Sequence, residues 1–127
     1  MSLLIGENDT FDVECFFVEN GTNIVFYEKK DAPEGHQHET FTFKKPSWVE
    51  LRKMMSESLI PSGGTAILNP YTYMDLKLKY LLRKWTLKDG DGKPIKVTFE
   101  AIDKMHPSLS VYLSGKIDLI LGPNEKT

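Results

Sequence analysis

Asn20-Gly21 lies between two runs rich in Val, Ile and Phe, and no other feature limits the fold of this chain as tightly. The dipeptide suits a two-residue type I′ turn, because both of its positions tolerate positive φ. Centring the turn there predicts a hairpin over residues 12–29. Phe17 then faces Ile24 and Cys15 faces Phe26 on one side of the ribbon. The other side carries Phe16 opposite Val25, Glu14 opposite Tyr27 and Asp12 opposite Lys29. One face is nearly all apolar and the other is mixed. A lone hairpin is marginal in water, so the apolar face has to pack on something.

The rest of the chain supplies the cover. Residues 31–39 form a polar loop containing Pro33 and Gly35, and residues 38–44 alternate Thr40 and Thr42 with Phe41 and Phe43. This alternation predicts a third strand, ended by Lys45-Pro46 because proline cannot donate to a ladder. Ser47-Trp48-Val49-Glu50 fits a capping box and opens a helix whose apolar stripe is Trp48, Leu51, Met55 and Leu59. Pro61-Ser62-Gly63-Gly64 reads as a flexible connector. Asn69-Pro70 starts a second helix, expected over residues 70–85. It has two apolar stripes: Tyr71, Met74, Leu78, Leu81 and Trp85 on one arc, and Tyr73, Leu76 and Tyr80 on another. Such a helix is either sandwiched inside the domain or turns its second stripe to a partner. A turn cluster at residues 89–94, a short extended piece at 95–97, a helix over 99–105 capped by Thr98 and a last helix to about residue 121 complete the pattern. The apolar face of that last helix is Leu109, Tyr112, Leu113, Ile117 and Ile120.

The expectation is an α+β fold: a three-stranded antiparallel sheet followed by about four helices. It occupies a single domain over residues 1–127, with a β-rich part (1–45), a helical part (46–122) and a polar tail (123–127). The first and last helices are expected to cover the apolar sheet face and the first stripe of the helix over residues 70–85.

Candidate chemistry is sparse. Sixteen basic and 18 acidic side chains leave a net charge of −2, which argues against a nucleic-acid binder despite Lys77, Lys79, Arg83, Lys84 and Lys88 beside Tyr73, Tyr80 and Trp85. No apolar run approaches the length of a membrane span, and Met1–Gly6 lacks the basic region of a signal peptide. The expected compartment is therefore the cytoplasm. Asp89, Asp91 and Glu100 imitate calcium-loop spacing, but Lys93 and Pro94 fall where a ligand and a glycine belong. His36 and His38, with Glu34 and Glu39, lie in a loop too loose for a zinc site, and His106 is far away in sequence. Cys15, the single cysteine, sits mid-strand among apolar neighbours and reads as an inert thiol. Asn20-Gly21-Thr22 and Asn8-Asp9-Thr10 match the glycosylation sequon, which carries no weight without a secretory signal. Gly63-Gly64 lacks the Lys-Ser/Thr of a phosphate loop. No acid, base and nucleophile converge, so no catalytic residue, metal or cofactor is expected. What remains is an excess of large apolar side chains. Phe16 and Val25 on the mixed hairpin face, and Tyr73, Leu76 and Tyr80 on the second helical stripe, are the candidate partner-binding residues.

One stretch resembles a known family. Leu81-Leu82-Arg83-Lys84-Trp85, an Asp-Gly turn with Lys93-Pro94-Ile95, and Val97-Thr98-Phe99-Glu100-Ala101-Ile102 before Pro107 and a final helix are similar to small tail assembly chaperones of long-tailed bacteriophages. The strand-to-helix segment Phe41–Trp48 also suits that group. The resemblance covers about 40 residues well and about 80 loosely, and the N-terminal hairpin departs from it. It implies a non-enzymatic protein of the host cytoplasm that coats the tape-measure protein before the tail tube polymerises, often in a short and a frameshift-extended form. An apolar stripe would cover an amphipathic helix, and Met54, Met55, Met74 and Met105 would adapt to it. The alternative is a structural virion subunit of the tail, neck or baseplate, with its β-ribbon packed on neighbours. Both imply protein partners, homo-oligomers among them.

Overall fold

The computed structural model describes residues 3–121. Strand β1 (Thr10–Asn20) pairs antiparallel with β2 (Asn23–Tyr27) on one side and with β3 (Gln37–Lys44) on the other. A one-turn 3-10 helix, Lys29–Asp31, links β2 to the loop before β3. Helix α1 (Trp48–Glu57) follows, then β4 (Leu59–Ser62), β5 (Thr65–Leu68), α2 (Pro70–Leu81), β6 (Leu82–Trp85), α3 (Phe99–Asp103) and α4 (Pro107–Leu121). The fold is α+β, with a four-stranded antiparallel sheet of order β2-β1-β3-β6 and a separate two-stranded β4-β5 sheet.

The first hairpin forms where expected but in a different register. Its two-residue loop is Gly21-Thr22, so Phe17 pairs with Phe26 and Phe16 with Tyr27. Gly21 has φ of 65°, and among the described residues none other than glycine has positive φ, so the turn has the sign pattern of type II′ rather than type I′. The shift is two residues, an even number, and side chains alternate with period two. The faces are therefore those expected: Val13, Cys15, Phe17 and Phe26 share one side, and Phe16, Val25 and Tyr27 the other.

The sheet has four strands rather than three, because the helix expected over residues 70–85 stops at Leu81. Leu82 turns extended, and the next residues pair with β3, Phe41 opposite Trp85 and Thr42 opposite Lys84. Trp85 packs edge-on against Phe41 at 6.3 Å and donates Nε1–H to the Ile95 carbonyl at 2.6 Å. Residues 95–97 form no strand of their own; the Ile95 N–H instead donates to the Leu87 carbonyl at 3.0 Å.

The core lies between the sheet and the helices. Val13, Cys15, Phe41 and Phe43 from the strands meet Met54, Leu78, Leu81, Leu82, Ile102, Leu113 and Ile117. Helix α4 covers β1 and β2, with Tyr112 stacked on Phe26 at 4.1 Å. Its first turn is tied to the β1–β2 loop by His106 Nε2, which donates to the Thr22 carbonyl at 2.8 Å while Nδ1 accepts from the Ser108 amide. Helix α1 has the expected capping box and packs on α2 as expected, but α2 rather than the sheet is its principal neighbour. Its inward side chain is Met54, not Met55, and Trp48 is 71% exposed. Glu50 serves two masters: it accepts from the Ser47 amide at 3.1 Å and from Lys44 Nζ at 2.6 Å.

Helix α2 is the central helix, and this accounts for its second stripe. It touches α1, α3, α4 and β6. Lys77 is 1% exposed; its ammonium lies 2.6 Å from Asp118 on α4 and 4.6 Å from the Tyr73 ring centroid. An ammonium buried this deeply depends on its partner, since a lone one loses its hydration without return.

Two stability outcomes follow. Asp118→Ala should destabilise the fold by about 1–3 kcal/mol in urea titrations, and adding Lys77→Met should recover most of it. Hydrogen bonding from Lys44 holds the Glu50 carboxyl below the usual range. Its contribution is therefore complete above the unfolded-state pKa and lost as pH falls through the folded one. Glu50→Gln should flatten the acid limb of a Tm-against-pH profile.

Candidate interaction surface

The chain leaves α1 through Ser58, which is buried although it is polar. Its hydroxyl donates to the Met54 carbonyl at 2.7 Å and its amide to the Met55 carbonyl at 3.1 Å. The Ser58 carbonyl then accepts from the Asn69 amide at 2.8 Å, which closes the base of a second hairpin. Residues 61–64, expected as a flexible connector, are the tip of this hairpin. Gly63 and Gly64 both have positive φ, 55° and 84°, as a two-residue type I′ loop requires. Thr65 Oγ1 donates to the Ser62 carbonyl at 2.8 Å and reinforces the turn. Leu59 pairs with Leu68 and Ile60 with Ile67. Asn69 Oδ1 then accepts from the Tyr71 and Thr72 amides, and Pro70 sits in the first turn of α2.

Every residue of β4 and β5 is exposed. Leu59, Ile60, Ile67 and Leu68 are apolar, and Ile67 reaches 55% exposure. Met55 and Tyr71, on the helical turns that flank the hairpin, are exposed as well. No charged residue stands between Glu57 and Asp75, in a chain of which 27% is charged. A signal for this hairpin was present: two apolar pairs placed symmetrically about Gly63-Gly64.

The residues proposed from sequence for partner contact are not brought together. Tyr73, Leu76 and Tyr80 are half-buried and pack against the core. Tyr80 donates its hydroxyl to Glu57 of α1 at 2.8 Å, so this stripe faces the molecule's own helices. Phe16, expected on an open face, is 8% exposed, because His38 stacks on it at 4.5 Å and His36 meets it edge-on at 5.7 Å. Val25 is exposed, at 38%.

The polar candidates have local roles. His36 Nδ1 bonds the Pro33 carbonyl at 2.8 Å, and His38 lies 3.3 Å from Glu14. Asp89 accepts from the Asp91 and Lys93 amides and shapes its own turn. Among the described residues, no group of three His, Cys, Asp or Glu is placed to hold a metal ion. The sheet face away from the helices carries a shallow hollow of about 480 Å³ lined by Thr10, Asp12, Thr40, Thr42, Lys84, Trp85 and Thr86. Asp12 there is engaged by the Thr42 hydroxyl at 2.7 Å. Among the described residues, no helix is long and apolar enough to cross a membrane.

Cys15 is fully buried, and burial pushes its thiol up to about 12. The neutral thiol is therefore favoured in the fold, and its contribution is lost as pH rises above the unfolded value. Native protein at pH 8 should leave Cys15 unmodified by a thiol-specific disulfide reagent, with full modification on denaturation in urea. Rapid labelling of native protein would show that the β1 face opens.

No family model matches the chain. No curated protein and no solved structure matches it either.

Proposed function

We propose that this chain is a non-enzymatic tail assembly chaperone of a long-tailed bacteriophage, acting in the host cytoplasm by covering an amphipathic segment of the tape-measure protein. The observation that carries a role in protein contact is the exposed, uncharged β4–β5 hairpin with Met55 and Tyr71 beside it. Exposed apolar clusters of this kind mark interaction sites. Its four large aliphatic side chains are about half exposed, so covering each would add roughly half of the ~1.5–3 kcal/mol that complete burial gives, which favours a partner. The resemblance at residues 81–107 supplies the kind of partner. Tyr80 ties α2 to α1 through Glu57, beside the hairpin's base, while Tyr73 and Leu76 pack on the core; Phe16 and Val25 lie apart, on the sheet.

A structural virion subunit is the second reading, favoured by an exposed two-stranded ribbon that pairs with no strand of the main sheet. Mass spectrometry of purified particles separates the two, since a chaperone is absent from the mature virion and a subunit is present.

The contact surface is tested by Ile60→Lys combined with Ile67→Lys. Both positions are exposed, so the fold and Tm should change little. Co-purification with a co-expressed tape-measure segment should fall at least tenfold, since each charge burial costs more than the ~1.4 kcal/mol that a factor of ten represents. Undiminished co-purification sinks the hairpin as the client site.

A further inference from the structure

We infer that the β4–β5 hairpin of one copy adds edge-on to β2 of a second copy of this chain, so that β5 becomes a fifth strand of the neighbour's sheet. The inference concerns backbone edges, leaves the hairpin's faces for a client and does not depend on what that client is.

The hydrogen-bond phase of each hairpin identifies its open edge. In an antiparallel pair, residues alternate between exchanging both bonds with the partner strand and turning both groups outward. The Asn69-to-Ser58 bond fixes Ser58–Asn69 as a bonded pair, and with it Ile60–Ile67 and Ser62–Thr65. Pro61, Leu59, Ala66 and Leu68 therefore turn their backbone outward. On β4 the outward position holds Pro61, which has no N–H, so that edge is blocked. On β5 the outward groups belong to Ala66 and Leu68, and both are intact. The two-residue loop of the first hairpin makes Asn20–Asn23 its bonded pair, so β2 turns Ile24 and Phe26 outward. Strand β2 is the end of its sheet, with no strand beyond it among the described residues.

Charge selects β2 as the receiving edge. Natural sheets guard their edges with charged side chains. The other terminal strand, β6, carries Arg83 and Lys84, and the half of β1 that extends past β2 carries Asp12 and Glu14. Strands β2 and β5 carry no charge at all. Set antiparallel, they align end to end: Thr65 opposite Tyr27, Ala66 opposite Phe26, Ile67 opposite Val25 and Leu68 opposite Ile24. Ala66 and Leu68 then exchange hydrogen bonds with Phe26 and Ile24, and the exposed Ile67 lands on the exposed Val25.

Area points to the same occupant. A single four-residue strand pairing falls short of the ~800 Å² that each partner gives to a standard interface. This chain carries both the donor edge and the receiving edge, so every copy in a reciprocal dimer or closed ring takes part in two junctions.

The test uses the full chain with a cysteine added at one position or the other, Val25→Cys or Ile67→Cys. Cys15 is buried and does not compete. The two positions would form a non-hydrogen-bonded pair, whose Cα atoms lie ~4.5 Å apart, within disulfide reach. Mild oxidation of a mixture of the two proteins should give a disulfide-linked pair several-fold more abundant than either protein gives alone. Ala66→Pro in the Ile67→Cys chain removes one outward N–H and should abolish the link, with circular dichroism confirming the fold. Light scattering should show wild-type protein larger than a monomer and Ile67→Cys with Ala66→Pro monomeric under reducing conditions. A wild-type monomer at micromolar concentration, equal linking in the unmixed proteins, or linking that survives Ala66→Pro in folded protein overturns the inference. If Ala66→Pro does not fold, the mixed and unmixed link yields decide alone.

Discussion

The β1–β3 ladder is the pairing on which the rest of the molecule depends. It runs unbroken from Thr10–Lys44 to Phe17–Gln37 and is the longest pairing in the sheet. Its register sets Val13 beside Phe41 and Phe11 beside Phe43, the latter pair stacked at 5.6 Å. Because side chains alternate, every slip of one residue would exchange this apolar row for Asp12, Glu14, Thr40 and Thr42. A slip by an odd number of residues would therefore leave α2 and α4 without an apolar floor. In the observed register the other face is left polar, as one-sided antiparallel sheets commonly are.

The same ladder explains why α2 ends early. Strand β3 has β1 on one edge and would otherwise expose its second edge beside Phe41 and Phe43. Extending Leu82–Trp85 along that edge supplies strand hydrogen bonds and brings Trp85 against Phe41. A further helical turn would keep Trp85 on the α2 surface, away from both Phe41 and the Ile95 carbonyl that takes its indole N–H. Tertiary pairing thus overrides a local helical pattern that continues without interruption into Lys84. The bulge between Thr42 and Phe43 is where the geometry of this takeover is absorbed.

These two facts divide what was legible from what was not. Elements written in local chemistry could be read directly: the Ser47–Glu50 capping box, the Thr98 and Asn69 caps, and the apolar and mixed faces of the first hairpin. The Asn20-Gly21 signal sets the turn one residue early, yet the faces survive because a one-residue move of a hairpin loop shifts pairing by two. The helix-to-strand change at Leu82 was not legible, because the reason for it lies on β3, some forty residues earlier in the chain. The surface fared similarly. Tyr73, Leu76 and Tyr80 make a true second stripe, but a stripe does not say what covers it, and here the cover is α1 and α4. The β4–β5 hairpin is hidden for the opposite reason: Pro61 and two glycines read as punctuation in the sequence but are a blocked edge and a tight turn in the fold.

That hairpin is also the place where the molecule departs from its own economy. Elsewhere polar groups in the interior are partnered: Lys77 has Asp118, Lys44 has Glu50, and Ser58 has the Met54 carbonyl. Apolar groups on the hairpin have no such arrangement, and two strands of four residues do not make a stable sheet alone. Its shape is maintained from the base, by Ser58 and Asn69 at the junction of two helices, and from the tip, by Gly63 and Gly64. A segment held at both ends but unsupported along its length is pre-ordered for addition to another sheet. It forfeits less conformational entropy on binding than a loose connector of equal length. Removing the two glycines' positive φ would therefore weaken association more than folding, because the core lies entirely below the hairpin's base.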